Sequence, residues 1–248
     1  ARARIFAPHK PLFQGLLFCE FGDRAKMSVI VKIPGLIDAH VHLRVPGGEH
    51  KEDFRSGTAA ALAGGFTMLM AMPNTRPSLT TADIWQNAQS WAEREGLCDI
   101  FHFAGVDFSG LRHLPALGRK APALKVYLDE TYNQAPAGEY ATLAQIAAAW
   151  PRRKVMAVHA EGNSIADAVR VAAETHRPVH ICHVSRKEDV ERIAAARREG
   201  HPVTCEVTPH HLFLTSADRV RLGALGDMRP CLAGQADVDA LWAHLGTT

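Results

Sequence analysis

No apolar stretch in this chain is long enough to cross a bilayer as a helix. The run from Leu12 to Phe21 is interrupted by Gln14, Gly15 and Glu20 and falls far short of the roughly 20 residues such a helix needs. No secretory leader is recognisable. An excess of one charge is missing too: Lys and Arg number 28 against 26 Asp and Glu, a formal +2, and neither sign is clustered. Nothing in that balance draws the chain to nucleic acid or to a membrane surface, so a small-molecule partner is expected. Cysteine is sparse. Cys19, Cys98, Cys182, Cys205 and Cys231 are odd in number and widely spaced, which argues against a disulfide scaffold and for a reducing, cytoplasmic setting. Aromatic residues make up only 7%, yet 47% hydrophobic and 22% charged content is ample for a globular core and too apolar for disorder.

The chain opens on Ala1, and the texture changes at Met27-Ser-Val-Ile-Val-Lys-Ile33. Residues 1–28 are expected to be a linker or extension, and residues 29–248 a barrel domain left incomplete where the text stops at Leu245-Gly-Thr-Thr248.

From Ile33 onward, short apolar runs alternate with amphipathic segments. Seven runs read as strands: Leu36–Leu43, Phe66–Met72, Ile100–Val106, Ala123–Leu128, Val155–His159, Val179–Val184 and Val203–Val207. Between them lie helical segments: Glu52–Ala63 closed by Gly64-Gly65, Thr81–Glu95 closed by Gly96, Ser164–His176, and Arg186–Glu199 with Ser185 as N-cap and Gly200 as stop. Near-continuous apolar strands joined by helices imply a parallel sheet covered on both faces. A repeat of about 22 to 33 residues fits an α/β fold of the (β/α)8 barrel kind, with the last strand absent from the text. An open doubly wound sheet ranks second, because the first turn lacks a Gly-x-Gly-x-x-Gly phosphate cradle.

Polar residues late in those strands carry the chemistry. Among 14 histidines, a pair such as His40-x-His42 arises by chance about once, so its position must discriminate. Residues i and i+2 of a strand share a face, which would send both imidazoles, and Arg44 after them, into the mouth of a barrel. Lys125, His159, His183 and Glu206 also sit late in separate apolar runs. A buried Lys, Glu or His without a partner is costly, and a shared metal accounts for all of them at once. Zinc suits imidazole ligands, and the C-terminal ends of barrel strands are where such enzymes work. Taken singly, His159 reads more readily as a core histidine, and Lys125 as an ion-paired one. Beside two dications, however, the neutral amine of Lys125 is favoured and could take up CO2 to become a bridging carbamate. His180 and His201 read as ordinary strand-start or surface histidines. Arg44 and Asn74 suggest recognition of a carboxylate, although Asn74 in Met-Pro-Asn-Thr-Arg-Pro is equally a turn residue. The polar stretch Asp129–Glu139 is long enough to be a lid.

Six segments together resemble dihydroorotases of the amidohydrolase superfamily, with a texture nearest the dihydroorotase domain of the multifunctional animal pyrimidine enzyme. They are Pro34-Gly-Leu-Ile-Asp-Ala-His-Val-His-Leu-Arg44, Ala71-Met-Pro-Asn-Thr-Arg-Pro77, Leu124-Lys-Val-Tyr-Leu-Asp-Glu-Thr131, Val158-His-Ala-Glu161, His180-Ile-Cys-His-Val184 and Cys205-Glu-Val-Thr-Pro-His-His211. The resemblance implies a metal-dependent barrel with two zinc ions: His40 and His42 on one, His159 and His183 on the other, and carboxylated Lys125 between them. Cys182 and Glu206 match positions that hold a third zinc. Arg44 and Asn74 would grip a substrate carboxylate, Arg229 would be a further contact, and Thr131 and Tyr132 match the tip of a closing loop. The implied reaction is the reversible cyclisation of N-carbamoyl-L-aspartate to L-dihydroorotate in pyrimidine biosynthesis. The implied partners are a second copy of the chain, aspartate transcarbamoylase or carbamoyl-phosphate synthetase.

The sequence departs from the family at one point. No strand ending in the Asp-x-x-Pro-His-like segment that carries the family's general acid/base lies between Glu206 and Thr248, so at most trace activity is expected of residues 1–248. Two rivals share parts of the pattern. A hydantoinase or allantoinase would keep the histidines and the lysine, but its substrates lack the carboxylate that Arg44 and Asn74 suit. A non-catalytic scaffold for aspartate transcarbamoylase would be expected to lose ligands, whereas all those up to Glu206 are present.

Overall fold

Apolar text and strand pairing coincide in two units: Ala1–Leu79 with Asp83–Phe103, and Thr80–Ala82 with Ala104–Thr248. They are seen in a computed structural model that describes residues 4–6, 14–18, 30–106, 108–131 and 140–246.

In the first unit, β1 (Arg4–Phe6), β2 (Gln14–Phe18) and β3 (Ile30–Pro34) form an antiparallel sheet in that order. Gly35 then turns the chain into β4 (Leu36–Val41). A Cβ at Gly35 would collide with the Thr67 side chain, so only glycine lets the backbone pass. β4 pairs in parallel with β5 (Phe66–Ala71), and β5 with β6 (Asp99–His102). Parallel neighbours need a covering crossover, which α1 (Phe54–Ala63) and α2 (Ala82–Glu95) supply. A capping box starts α1: Asp53 Oδ1 accepts the Ser56 amide at 2.7 Å, and Ser56 Oγ lies 3.4 Å from the Asp53 amide. Leu43, Val45, Phe54, Leu69, Ala71, Ala92 and Ile100 form the core of this unit.

In the second unit, β7 (Leu124–Tyr127), β8 (Met156–His159), β9 (Val179–Ile181) and β10 (Val203–Cys205) make a parallel sheet in the order β10-β9-β8-β7. Every residue of β7 and β8 is buried, which is why these strands read as unbroken apolar text rather than as an alternation. The helices are α3 (Leu114–Lys120), α4 (Tyr140–Ala149), α5 (Asn163–Thr175), α6 (Lys187–Arg198), α7 (Pro209–Phe213), α8 (Asp218–Leu222) and α9 (Gln235–His244).

Two sequence expectations change. Ser185 is not the cap of α6: the N-cap is Arg186, in extended conformation and without a side-chain bond, while Ser185 is buried at the strand exit. The strands are also shorter than their apolar runs, because the C-terminal residues of every run but Val155–His159 leave the ladder. Among the described residues no helix is long and apolar enough to span a membrane.

Candidate functional site

The first unit places His40 within β4 and His42 one residue past its end. The ladder shifts register between Asp38 and Val41, so strict alternation does not govern this stretch. The two rings still meet, with centroids 5.4 Å apart. Asp38 Oδ1 accepts the His40 amide at 3.0 Å and fixes the backbone there. His42 Nδ1 lies 2.8 Å from Asn74 Oδ1. An amide oxygen can only accept, so Nδ1 donates and the lone pair of His42 is left on Nε2. Asn74 is itself held in a turn tied by Thr75 Oγ1 to the Pro77 carbonyl at 2.7 Å and by Ser78 Oγ to the Pro73 carbonyl at 2.9 Å. The residue read from sequence as a carboxylate donor thus orients a histidine. Arg44 does not inherit the direction of the pair from strand alternation: the strand ends at Val41, and Arg44 takes a left-handed backbone with φ +63°.

The second unit gathers a larger group. Lys125 is 1% exposed, and its Nζ donates to Cys182 Sγ at 2.8 Å and stands 5.3 Å from the centroid of the Tyr127 ring. Burial pushes the Cys182 thiol up to about 11, so the lysine head group is buried against an uncharged partner. Cys182 and Glu206 offer ligand atoms within 4.8 Å of each other. Glu206 also lies 3.3 Å from His180 Nε2, and His180 Nδ1 lies 2.8 Å from Thr204 Oγ1. His180 stands at the start of β9, as read from the sequence, and joins this polar group, while His201 lies beside Glu199 at 3.3 Å.

His159 and His183, 2% and 9% exposed, approach through Nδ1 and Nε2 at 3.0 Å. The other nitrogen of His159, Nε2, is buried without a hydrogen-bond partner, and Glu161 Oε1 stands 3.7 Å away. His159 in turn holds the Glu161 carboxyl below the usual range. His183 has a left-handed backbone with φ +38°, an uncommon state for a non-glycine residue of the kind found where a site constrains the chain.

Arg229, whose charge acts on the Glu161 carboxyl, and the loop residues complete the expected set. Arg229 is partly exposed and bonds Asp227 Oδ1 and the Met228 carbonyl, both at 3.2 Å. Thr131 is half-buried after β7, while Tyr132 and most of the expected lid, residues 132–139, lie outside the described residues. Tyr127, Asp129, Glu161 and Asp189 were not singled out from sequence. Only the invariably buried β7 text around Tyr127 and the Glu in Val158-His-Ala-Glu161 could have signalled two of them.

The donor set fits zinc. Imidazole nitrogens, a thiol and a carboxylate are its usual ligands, and the nitrogens of two buried histidines, His159 Nδ1 and His183 Nε2, converge to 3.0 Å.

Residues 29–109 match the Dihydro-orotase-like family profile. Over 224 residues the chain is 45% identical to the multifunctional protein CAD of Squalus acanthias, covering 90% of this chain and 10% of that protein. Over 239 residues it is 34% identical to the dihydroorotase of Bacillus caldolyticus, covering 84% of this chain and 56% of the relative. The chain therefore spans about half the length of the bacterial relative and about a tenth of the multifunctional one. The L-hydantoinase of Arthrobacter aurescens superposes with a TM-score of 0.79 at 21% identity, over 94% of this chain and 63% of that one, which shows a shared α/β barrel-type fold. Sequence match, fold and donor set agree: residues 29–109 carry the Dihydro-orotase-like match, and the chain as a whole is similar to dihydroorotases.

Proposed function

We propose that this chain forms the metal-binding and substrate-binding part of a dihydroorotase, which interconverts N-carbamoyl-L-aspartate and L-dihydroorotate. One observation supports this most strongly: Lys125, 1% exposed on a strand between apolar neighbours, has a neutral thiol rather than a carboxylate as its partner. An ammonium buried this way is expensive, and an amine converted to a carbamate beside cations is not. In this reading His40 and His42 would hold one zinc, His159 and His183 a second, with carboxylated Lys125 as a further ligand, and Cys182 with Glu206 could take a third.

When bound, the metals supply an activated water and polarise the amide carbonyl. The chain's own residues do the rest. Asn74 keeps the proton of His42 on Nδ1, which puts the lone pair on Nε2. The thiol of Cys182 accepts from Lys125 Nζ at 2.8 Å and fixes its head group. The guanidinium of Arg44 provides a two-pronged grip for the substrate carboxylate, with Arg229 a further contact and Thr131 and Tyr132 belonging to a loop over the substrate. That carboxylate separates this reading from a hydantoinase or allantoinase. The retained ligand set separates it from a non-catalytic scaffold. Association with aspartate transcarbamoylase or carbamoyl-phosphate synthetase, pairing with a second copy and a cytoplasmic location accompany the proposal, which extends to residues 29–248 as one barrel domain following an extension at residues 1–28.

The experiment is a zinc count on purified protein, paired with Lys125→Met and with an assay for dihydroorotate hydrolysis. About two zinc ions per chain are expected in the native sequence and fewer than one in K125M, with the apo melting temperature of K125M no lower than that of the parent, since an uncompensated buried head group is replaced by an apolar one of similar length. A native zinc content near zero would overturn the proposal.

A further inference from the structure

We propose that Glu161 is the positioning residue that sets the ring of His159 for metal binding, and that the turn carrying it is built to hold it there. The inference rests on the metal-binding reading above.

A neutral imidazole has one N–H and one lone pair, and a cation takes the lone pair. In the second unit the two converging nitrogens are His159 Nδ1 and His183 Nε2, 3.0 Å apart. If Nδ1 of His159 ligates, its proton sits on Nε2, which is buried and needs an acceptor. The group beside it is Glu161 Oε1, at 3.7 Å, a few tenths of an ångström beyond a hydrogen bond. Metal-bound histidines commonly give their second N–H to a carboxylate, which fixes the tautomer and the ring plane.

The turn after β8 is fastened from three sides. Asp129, from the exit of β7, accepts the Glu161 amide on Oδ2 at 2.7 Å and the Ser164 hydroxyl on Oδ1 at 2.9 Å. Asp189, in the first turn of α6 and only 4% exposed, accepts from the backbone of Gly162. Gly162 itself adopts φ +56°, ψ −111°, a conformation closed to residues with a Cβ. Starting α5 does not require this much, because a single side-chain cap suffices at most helix N-termini. Two carboxylates and a glycine are spent on the amides of residues 161 and 162, and the side chain they fix faces His159.

The test compares zinc affinity, by competition with a chromophoric chelator, in the native chain, Glu161→Ala and Glu161→Gln. E161A should lose roughly 10- to 100-fold in affinity without a change in apo melting temperature, and E161Q, whose amide oxygen can still accept from Nε2–H, should recover most of it. A purely structural role would lower the melting temperature and leave affinity alone. If E161A binds zinc as the native chain does, the positioning role is wrong while the metal-binding reading stands; if the native chain binds no zinc, both fall. Should E161A fail to fold, Asp129→Asn keeps Glu161 and loosens its amide anchor, so an affinity loss of at least a few-fold is expected and an unchanged affinity overturns the inference.

Discussion

His102 shows how much a single buried ring can contribute away from the proposed chemistry. It is fully buried at the end of β6, its Nδ1 lies 3.0 Å from Gln89 Oε1, and its Nε2 has no hydrogen-bond partner. Burial lowers its pKa from 6.5 to about 4. In the unfolded chain it takes a proton near 6.5, whereas in the fold it resists until about 4, so the unfolded state binds more protons throughout that window. Stability is therefore intact above pH 6.5, falls as pH drops from 6.5 to 4, and is flat with respect to this group below that. The swing is about 3 kcal/mol. Denaturant unfolding of the metal-free protein across this range should show the loss, and His102→Leu should remove a large part of it. A parallel pH profile in the variant would exclude His102 as the source. At this scale the sequence was readable where a polar residue breaks an apolar run, as Lys125, His159 and His183 do. It was not readable where a role depends on which atom meets which: Asn74 reads as a turn residue or an anion donor, and only the 2.8 Å contact with His42 Nδ1 shows it orienting a histidine.

Elements announced themselves by periodicity and punctuation, and were missed where either was blurred. The buried parallel strands were legible because both their faces are covered. The helix Tyr140–Ala149 was not, since Tyr-Ala-Thr-Leu-Ala-Gln-Ile-Ala-Ala-Ala is apolar nearly all round and shows no stripe. Register is equally hidden: the bulge between Asp38 and Val41 cannot be seen in the text, yet it decides whether alternation can be trusted at His40 and His42. Glycine stops are the opposite case. Gly200 was readable as the end of α6, and it adopts φ +85° just past the C-cap with open space around its Cα. Gly200→Ala should therefore cost about 1 kcal/mol through backbone strain alone, with no steric clash to add to it. The measurement is the midpoint of denaturant unfolding at unchanged slope. A variant as stable as the parent would mean that the end of α6 relaxes to another cap.

For the molecule as a whole, the proposed ligands come from β4 and its exit, β7, β8 and the exits of β9 and β10, stretches far apart in sequence. If one group of cations serves them all, metal binding and folding are a single equilibrium. Zinc at 100 times its dissociation constant should then stabilise the native state by about 2.7 kcal/mol per site, visible as a concentration-dependent rise in melting temperature that a chelator reverses. Paired substitutions sharpen this. His40→Asn with His42→Asn removes the proposed imidazole ligands of one unit, and His159→Asn with His183→Asn those of the other. Two independent sites would each keep their own share of the zinc-induced shift when the other pair is removed. A centre sharing the Lys125 carbamate would not, because losing either pair removes a cation that stabilises the carbamate and so weakens what remains. The expected outcome is that each double variant loses more than half of the native shift, so that the two losses sum to more than the whole. Losses that sum to the native shift would mean two separate metal sites, and no shift in the native chain would remove the metal from the account of this fold.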